Sequence, residues 1–285
     1  MPEGGTSDRS GRTLRLRIIS ALIAAPLAVA AVFLLPRIAF AVIFGILASV
    51  ALDEWGKLAG YATLPRRLAY VLVFGVIGAA LFQLPGAMIP TLTLISAGWA
   101  VACAIVVGYP RSASILRLPG VIPGIGLLVL TGAWLGLVSL RAQPDSGAWL
   151  IIWLFVVVWA ADIGAYFVGR SYGRRKLALA VSPGKTWEGA LGGLACSVLL
   201  ATALVWVVPA LQLFSVRGWA LLALGLGVLS IFGDLFESVL KRETGAKDSG
   251  GLLPGHGGLL DRIDALVAVL PPFALLILVA GQDGM

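Results

Sequence analysis

The segment from Ser238 to Asp264 holds the densest group of residues that could do chemistry in this sequence. It combines cations and carboxylates with a histidine among glycines: Lys241, Arg242, Lys247, Asp248, His256, Asp261, Arg262 and Asp264. Lysine and arginine can neutralise a polyphosphate, and carboxylate oxygens are ligands that Mg²⁺ prefers. Asp261 and Asp264 are three residues apart at the start of an apolar run, so both can face one ion. The pattern favours a site for a metal and a phosphorylated substrate.

A second polar segment, Ser182–Gly189, reads Ser-Pro-Gly-Lys-Thr-Trp-Glu-Gly. A Pro-Gly turn would expose backbone N–H groups, Lys185 supplies a positive charge, and Ser182 and Thr186 supply hydroxyls. The glycine spacing differs from that of a Walker loop, and no strand is expected before it. We interpret the segment as a phosphate-binding loop. A plain helix start, capped by Ser182 or Thr186, is the alternative.

Three further acidic residues, Asp162, Asp234 and Glu237, lie in apolar runs. An ionised carboxylate at bilayer depth costs a few kcal/mol or more, so such groups usually face a cavity and hold a partner. The spacing from Asp234 to Glu237 and Ser238 places all three on one helix face. A structural ion pair or an interfacial cap is the alternative for Asp162 and Asp234.

The elements that position these residues must be membrane helices. Of the 285 residues, 59% are hydrophobic and only 12% are charged, whereas soluble domains carry about 25% charged residues. Apolar runs of helix-spanning length recur along the chain. They predict an all-α, polytopic integral membrane protein with about nine spans, at residues 18–35, 38–54, 68–84, 88–107, 120–140, 148–169, 188–208, 218–238 and 264–281.

The distribution of positive charge predicts the orientation of the spans. Of the 21 lysines and arginines, 18 lie in the N-terminal tail or in the loops after the second, fourth, sixth and eighth spans. Cytoplasmic loops carry such an excess, so we expect the N-terminus inside and the C-terminus outside. The site, with loops 170–187 and 239–263, would then face the cytoplasm from the cell (inner) membrane. The net charge of +7 is a topology signal that suits anionic lipids or phosphorylated substrates, and we expect no nucleic-acid partner.

Three regions follow from this organisation. Residues 1–17 form a basic cytoplasmic tail, residues 18–147 form N-terminal transmembrane helices, and residues 148–285 form a C-terminal catalytic region. The first apolar run lacks a small-residue cleavage pattern, so we expect it to be retained as a helix. Asp53 and Glu54 end the second span, and we expect both to be interfacial charges that snorkel towards water.

The polar segments resemble the CDP-diacylglycerol synthase (phosphatidate cytidylyltransferase) family. The signature, from Ser238 to Asp264, is a serine followed by Lys-Arg, Lys-Asp, His-Gly-Gly and Asp-Arg-x-Asp. The Ser182–Gly189 block, the Gly233–Ser238 block and Asp162 also resemble the family, in the expected order. The motifs cover about residues 155–270, and the N-terminal half resembles the family only as a set of hydrophobic spans.

The resemblance implies transfer of a cytidylyl group from CTP to phosphatidate, giving CDP-diacylglycerol and pyrophosphate in phospholipid biosynthesis. It implies a requirement for Mg²⁺, with a second cation left open. CTP, phosphatidate and membrane lipids are the expected partners, and a homodimer is left open.

The roles expected of individual residues follow from that reaction. Metal would be held by Asp234 and Asp261, helped by Asp264 or Asp162. Phosphates would be bound by the cations Lys185, Lys241, Arg242, Lys247 and Arg262, with hydroxyl donors from Ser182, Thr186 and Ser238. His256 would donate a hydrogen bond to phosphate or order its loop. It is less suited to being a base, because the attacking phosphate is already ionised at neutral pH.

Three other functions compete with this interpretation. A transporter would also carry intramembrane carboxylates, but transport sites usually lie near the bilayer midplane between inverted repeats, and no convincing repeat occurs here. A phosphotransferase acting on a polyprenyl phosphate or a CDP-alcohol is another enzyme class, and the Asp-Gly-x-x-Ala-Arg motif of the CDP-alcohol family is absent. A non-catalytic membrane scaffold leaves the intramembrane acids unexplained.

Overall fold

The computed structural model describes residues 23–246, 248–250 and 257–283. Within these residues the chain forms nine α-helices and one small antiparallel sheet. The helices are α1 Ile23–Leu34, α2 Arg37–Leu58, α3 Leu64–Gln83, α4 Met88–Gly108, α5 Val121–Arg141, α6 Gly147–Tyr172, α7 Trp187–Val207, α8 Val216–Thr244 and α9 Leu260–Asp283. The strands are β1 Lys176–Ala178 and β2 Ser182–Thr186, and short 3₁₀ turns lie at Pro85–Ala87, Arg111–Arg117 and Pro209–Leu211.

Eight of these helices, α2 to α9, are long and apolar enough to cross a membrane. A bilayer crossing needs about 20 predominantly apolar residues, and these helices contain between 20 and 29. Apart from the small sheet, the predicted all-α polytopic architecture is confirmed for the described part of the chain. Helix α1 corresponds to the predicted span 18–35, whose first residues, 18–22, lie outside the described residues. The count of nine spans therefore stays a prediction.

The helices that flank the last polar loop are longer than predicted. Helix α8 continues six residues beyond its predicted end, and α9 starts four residues before its predicted start. Glu237 and Lys241 form an ion pair one turn apart, at 2.9 Å, which stabilises the extension of α8. Gly245 then ends the helix in the left-handed conformation, with φ at 69°. The loop shortens to residues 245–259, which we call the signature loop.

The segment predicted to be an irregular phosphate loop belongs to a β-hairpin. Strand β2 pairs with β1, with Lys176 opposite Thr186 and an irregular register between the ends. The predicted Pro-Gly turn is wrong, because Pro183 and Gly184 lie within β2 and the chain turns at residues 179–181. A proline is tolerated at such a bulge, where the ladder of hydrogen bonds is interrupted.

Small residues let α6 and α7 pack closely. A Cβ atom added at Gly193 would collide with the carbonyl oxygen of Ala161, and one at Gly189 would lie 3.0 Å from the carbonyl oxygen of Ala165. Membrane helices associate through this kind of contact, because lipid provides little hydrophobic driving force between them. Since Ala161 directly precedes Asp162, the packing fixes Asp162 relative to the hairpin that leads into α7.

Contacts between loops place the chain segments after α4, α6 and α8 on one face of the bundle, which we call the site face. Arg117, after α4, pairs with Glu243 near the end of α8 at 2.8 Å. Arg242, also near the end of α8, donates a hydrogen bond from Nε to the carbonyl oxygen of Val181 in the hairpin turn, at 3.2 Å. These segments were all predicted to share one side of the membrane. Which side that is stays a prediction.

Candidate active site

Two ion pairs between a lysine and an aspartate of the predicted motifs lie at or below the site face. In the first, Nζ of Lys185 on β2 lies 2.5 Å from Oδ2 of Asp234 on α8, and the two side chains are 26% and 36% exposed. Asp234 lies ten residues before the end of α8, which corresponds to about 15 Å along the helix. A carboxylate at such a depth requires a partner, and Lys185 provides it.

Two more carboxylates surround this first pair. Asp162 on α6 is close enough to Asp234 and Lys185 for their charges to interact. Asp264 on α9 interacts in the same way with Asp234 and Asp162. Asp162 is exposed and Asp264 is half-buried. The structure therefore brings together three acids predicted to bind metal, from three different helices, and two of them, Asp162 and Asp234, lie near Lys185.

Gly233 allows α8 and α9 to meet at this point. An added Cβ atom would lie only 2.8 Å from both the Cβ of Ala268 and the carbonyl oxygen of Asp264. A close helix contact of this kind requires a residue without a side chain. The Gly-Asp order of the motif thus has a steric reason: the glycine makes the contact, and the next residue, Asp234, carries the carboxylate.

The second ion pair lies where α8 meets the start of α9. Lys241 on α8 contacts Asp261 in the first turn of α9 and also pairs with Glu237. Asp261 accepts backbone hydrogen bonds from Gly258, at 2.7 Å, and from Ser249, at 3.3 Å. Its side chain is 13% exposed and that of Lys241 is 16% exposed, so this cluster is more buried than the first pair.

The structure describes some of the other predicted substrate ligands, and the rest lie outside the described residues. Thr186 is the N-cap of α7, where its hydroxyl accepts a hydrogen bond from the backbone N–H of Gly189 at 3.2 Å. That contact supports the helix-start alternative for this hydroxyl. Ser182 and Ser238 are half-buried, and Arg242 and Arg262 are exposed. Lys247 and His256 lie outside the described residues.

The carboxylate oxygens of Asp234 and of the two neighbouring acids, Asp162 and Asp264, suit Mg²⁺. Within the described part of the chain, no three histidine, cysteine or acidic side chains form a group that could hold an ion by themselves. Mg²⁺, however, usually keeps several waters and binds through one or two carboxylates together with substrate phosphates. Asp234 with Asp162 or Asp264 meets that requirement. The residues present fit the ion, and the assignment itself stays a prediction.

Comparison with known proteins agrees with the motifs. The profile of the cytidylyltransferase family matches residues 15–280 of this chain. The chain belongs to the cytidylyltransferase family. The resemblance found in the C-terminal motifs therefore extends across the N-terminal helices as well.

Relatives within the family carry a more specific name. A Pseudomonas aeruginosa protein named phosphatidate cytidylyltransferase is 45% identical over 271 residues, which cover 94% of this chain and 98% of that protein. A Haemophilus influenzae protein of the same name is 35% identical over 286 residues, covering 92% and 97%. A Brucella suis protein of that name is 50% identical over 151 residues, covering 51% and 53%.

Glu54 also belongs to this region of the cytidylyltransferase fold, although no motif contains it. Snorkelling towards water is wrong for this residue, which is 2% exposed and accepts a hydrogen bond from the backbone N–H of Leu260 at 2.9 Å. Its neighbour Asp53 pairs with Lys57 at 2.8 Å and is partly exposed. The signal that singled out Asp162, an acid within an apolar run, applied to Glu54 too. The charges around it favoured the wrong interpretation.

Proposed function

We propose that this chain transfers a cytidylyl group from CTP to phosphatidate, forming CDP-diacylglycerol and pyrophosphate. Its family supports the cytidylyl transfer, and the name of relatives aligned over nearly their whole length supports the lipid substrate. The structural observation behind the proposal is the repeated pairing of lysine with aspartate, Lys185–Asp234 and Lys241–Asp261. A magnesium nucleotide also combines two opposite charges, so its phosphates suit each lysine and its metal suits each aspartate.

The reaction requires positioning and charge stabilisation more than proton transfer. A phosphate oxygen of phosphatidate attacks the α-phosphorus of CTP, the bond to the β-phosphate oxygen breaks, and pyrophosphate leaves. The attacking phosphate is ionised at neutral pH, so no general base is required. Lys185 and Lys241 bind phosphate oxygens and stabilise the negative charge that gathers on the leaving group.

Asp234 and Asp261 are the residues that would hold Mg²⁺, with Asp162 or Asp264 assisting Asp234. When bound, the ion would supply positive charge that offsets the negative charge developing on pyrophosphate. A lysine lies beside each of the two aspartates. Each pair can therefore bind a phosphate group through its lysine and the metal through its aspartate at the same place.

The depth of the first ion pair fits a substrate that stays in the membrane. Asp162 lies ten residues before the end of α6, about 15 Å along the helix, and it is exposed. A phosphatidate headgroup can reach this level while its acyl chains remain in lipid. We place the site face at the cytoplasmic side of the cell membrane, because the basic loops lie on that face.

A labelling experiment tests the proposed reaction. Purified protein in detergent micelles is incubated with phosphatidate, Mg²⁺ and CTP labelled in the α-phosphate. The expected product is a labelled lipid that co-migrates with CDP-diacylglycerol and forms together with one pyrophosphate per lipid. Diacylglycerol is the control, because it lacks the attacking phosphate and should take no label. Failure of phosphatidate to become labelled would contradict the proposal, and accumulation of unreacted CTP in sealed proteoliposomes would favour a transporter.

A further inference from the structure

Glu54 is buried where the signature loop meets the start of α9. The residue lies on α2, in the N-terminal half of the chain, and is 2% exposed. Its Oε2 accepts a hydrogen bond from the backbone N–H of Leu260, the first residue of α9, at 2.9 Å. The N–H groups at a helix start have no partner within the helix, and a negative charge there complements the helix dipole. Glu54, on α2, thus supplies a hydrogen-bond acceptor for the N-terminus of α9.

Two glycines of the signature loop enclose this carboxyl group. A Cβ atom added at Gly250 would collide with Oε1 of Glu54, and one at Gly258 would collide with Oε2 of Glu54 and with Oγ of Ser249. Ser249 is itself only 3% exposed. Within the described part of the chain, Oε1 of Glu54 has no hydrogen-bond partner. The loop backbone, rather than solvent, surrounds the carboxyl group.

Asp261 contacts the same parts of the loop. It accepts hydrogen bonds from the backbone N–H groups of Ser249 and Gly258, and it directly follows Leu260. Ser249–Gly250 and Gly258 therefore lie against both acids. Because Leu260 directly precedes Asp261, a shift of Leu260 moves Asp261 with it. A buried acid is unfavourable unless it is partnered, so the packing of α2 alone does not account for a glutamate here.

We propose that Glu54 is a positioning residue for cytidylyl transfer, which sets the start of α9 so that Asp261 can meet the metal and Lys241 the phosphates. This inference rests on the proposed function and gives the N-terminal half a part in the site. A group that orients a metal ligand without touching the ion typically changes metal affinity or activity by about 10- to 100-fold when it is removed.

The test compares Glu54→Ala, Glu54→Gln and Asp53→Asn in purified protein. Melting temperature is followed across a Mg²⁺ titration at fixed CTP without lipid substrate, and turnover is followed across the same titration with phosphatidate. In Glu54→Ala we expect the Mg²⁺ midpoint to rise by about tenfold or more in both measurements. Glu54→Gln keeps an oxygen that can accept from Leu260, so its midpoint should return close to that of the unsubstituted protein. Asp53→Asn changes a neighbouring acid that points elsewhere, and its midpoint should not change.

Gly250→Ala provides a second route to the same result if Glu54→Ala does not fold. Its new methyl group would collide with the Glu54 carboxyl group, so the Mg²⁺ midpoint should rise here too. An unchanged midpoint in whichever of these two variants folds overturns the proposal, even if the melting temperature falls. Two other results would also overturn it. One is a Mg²⁺ midpoint in Glu54→Gln as high as that in Glu54→Ala, and the other is a melting temperature of the unsubstituted protein that does not respond to Mg²⁺.

The two measurements separate this proposal from the proposed function. The melting titration requires no turnover, so it reports on Glu54 whatever the lipid substrate is. A protein whose melting responds to Mg²⁺ and depends on Glu54, but which puts no label into phosphatidate, would contradict the proposed function alone.

Discussion

Lys185 and Asp234 are 49 residues apart in the sequence, yet Lys185 Nζ lies 2.5 Å from Asp234 Oδ2. The hairpin before α7 supplies the lysine, and the middle of α8 supplies the aspartate. This one contact joins two sequence motifs, one that we expect to bind phosphate and one that we expect to bind metal. We therefore expect nucleotide binding and metal binding to be linked, so that a change at either residue affects both.

Replacing Lys185 with alanine should change the affinities for CTP and for Mg²⁺ in opposite directions. Loss of one charge-assisted phosphate contact should weaken CTP binding by about 10- to 100-fold. Mg²⁺ binding without nucleotide should strengthen, because the cation that neutralises Asp234 is gone. Isothermal titration of purified Lys185→Ala measures both affinities.

Arg174→Ala is the matched control for Lys185, since it removes an exposed cation just before the same hairpin. Its CTP affinity should stay near that of the unsubstituted protein, and KM for phosphatidate should change little in either variant. An unchanged CTP affinity in Lys185→Ala would limit the Ser182–Gly189 segment to a structural role.

Replacing Asp234 or Asp261 with asparagine should abolish most activity but affect stability differently. Either substitution removes a charge that would hold Mg²⁺, so turnover should fall by about two orders of magnitude. Asp234 is partly exposed, so its ion pair adds little stability and the melting temperature should hardly change. Asp261 is more buried and accepts two backbone hydrogen bonds, so its loss should destabilise the protein by about 1–3 kcal/mol.

Turnover and melting temperature, both followed across a Mg²⁺ titration, check these expectations for the two asparagine variants. Substantial specific activity in both, together with early melting, would mean that the carboxylates form structural ion pairs only. The metal assignment would then be wrong.

Replacing Gly233 with alanine should separate α8 from α9 at the site. The new Cβ atom would lie 2.8 Å from Ala268 and from the backbone of Asp264, and overpacking of this kind typically costs about 1–3 kcal/mol. Because Asp234 and Asp264 would move apart, turnover should fall further than the loss of folded protein explains. Circular dichroism melting beside the CTP labelling assay measures both effects.

Gly225→Ala is the control for Gly233, because it lies on the same helix and an added Cβ there meets nothing within 4 Å. Alanine favours helix more than glycine does, so this variant should be as stable as the original or slightly more stable, with normal turnover. Equal behaviour of the two variants would contradict the close contact at Gly233.

Single cysteines test the proposed orientation in a background without Cys103 and Cys196. Thr63 follows α2 and Ser171 lies in the last turn of α6, and both are exposed. Cysteines at these two positions should resist a membrane-impermeant thiol reagent in intact cells. A cysteine at Gln212, exposed between α7 and α8, should react. The positive-inside rule predicts this pattern, and the reverse pattern would place the site face outside.

The membrane architecture and the chemistry of the site follow from local features of the sequence. Apolar runs long enough to cross a bilayer predict the helices, because a helix satisfies its backbone hydrogen bonds within one segment, without help from water. The residues of the Ser238–Asp264 segment indicate a phosphate and metal site, because cations, carboxylates and glycines in that density have few other uses. The C-terminal end of α8 lies six residues beyond its predicted position, because the Glu237–Lys241 pair and Gly245 determine where this helix stops.

Only the tertiary structure decided which of these residues meet. Asp234 and Glu237 share a turn of α8, yet one pairs with Lys185 of the hairpin and the other with Lys241. Alternating spans determine which loops share a face of the membrane, but not which helices are neighbours within it. That choice depends on close contacts such as Gly233 against α9. The hydrogen bond from Leu260 to Glu54 spans 206 residues, and no local pattern specifies it because it exists only once α2 packs beside the start of α9.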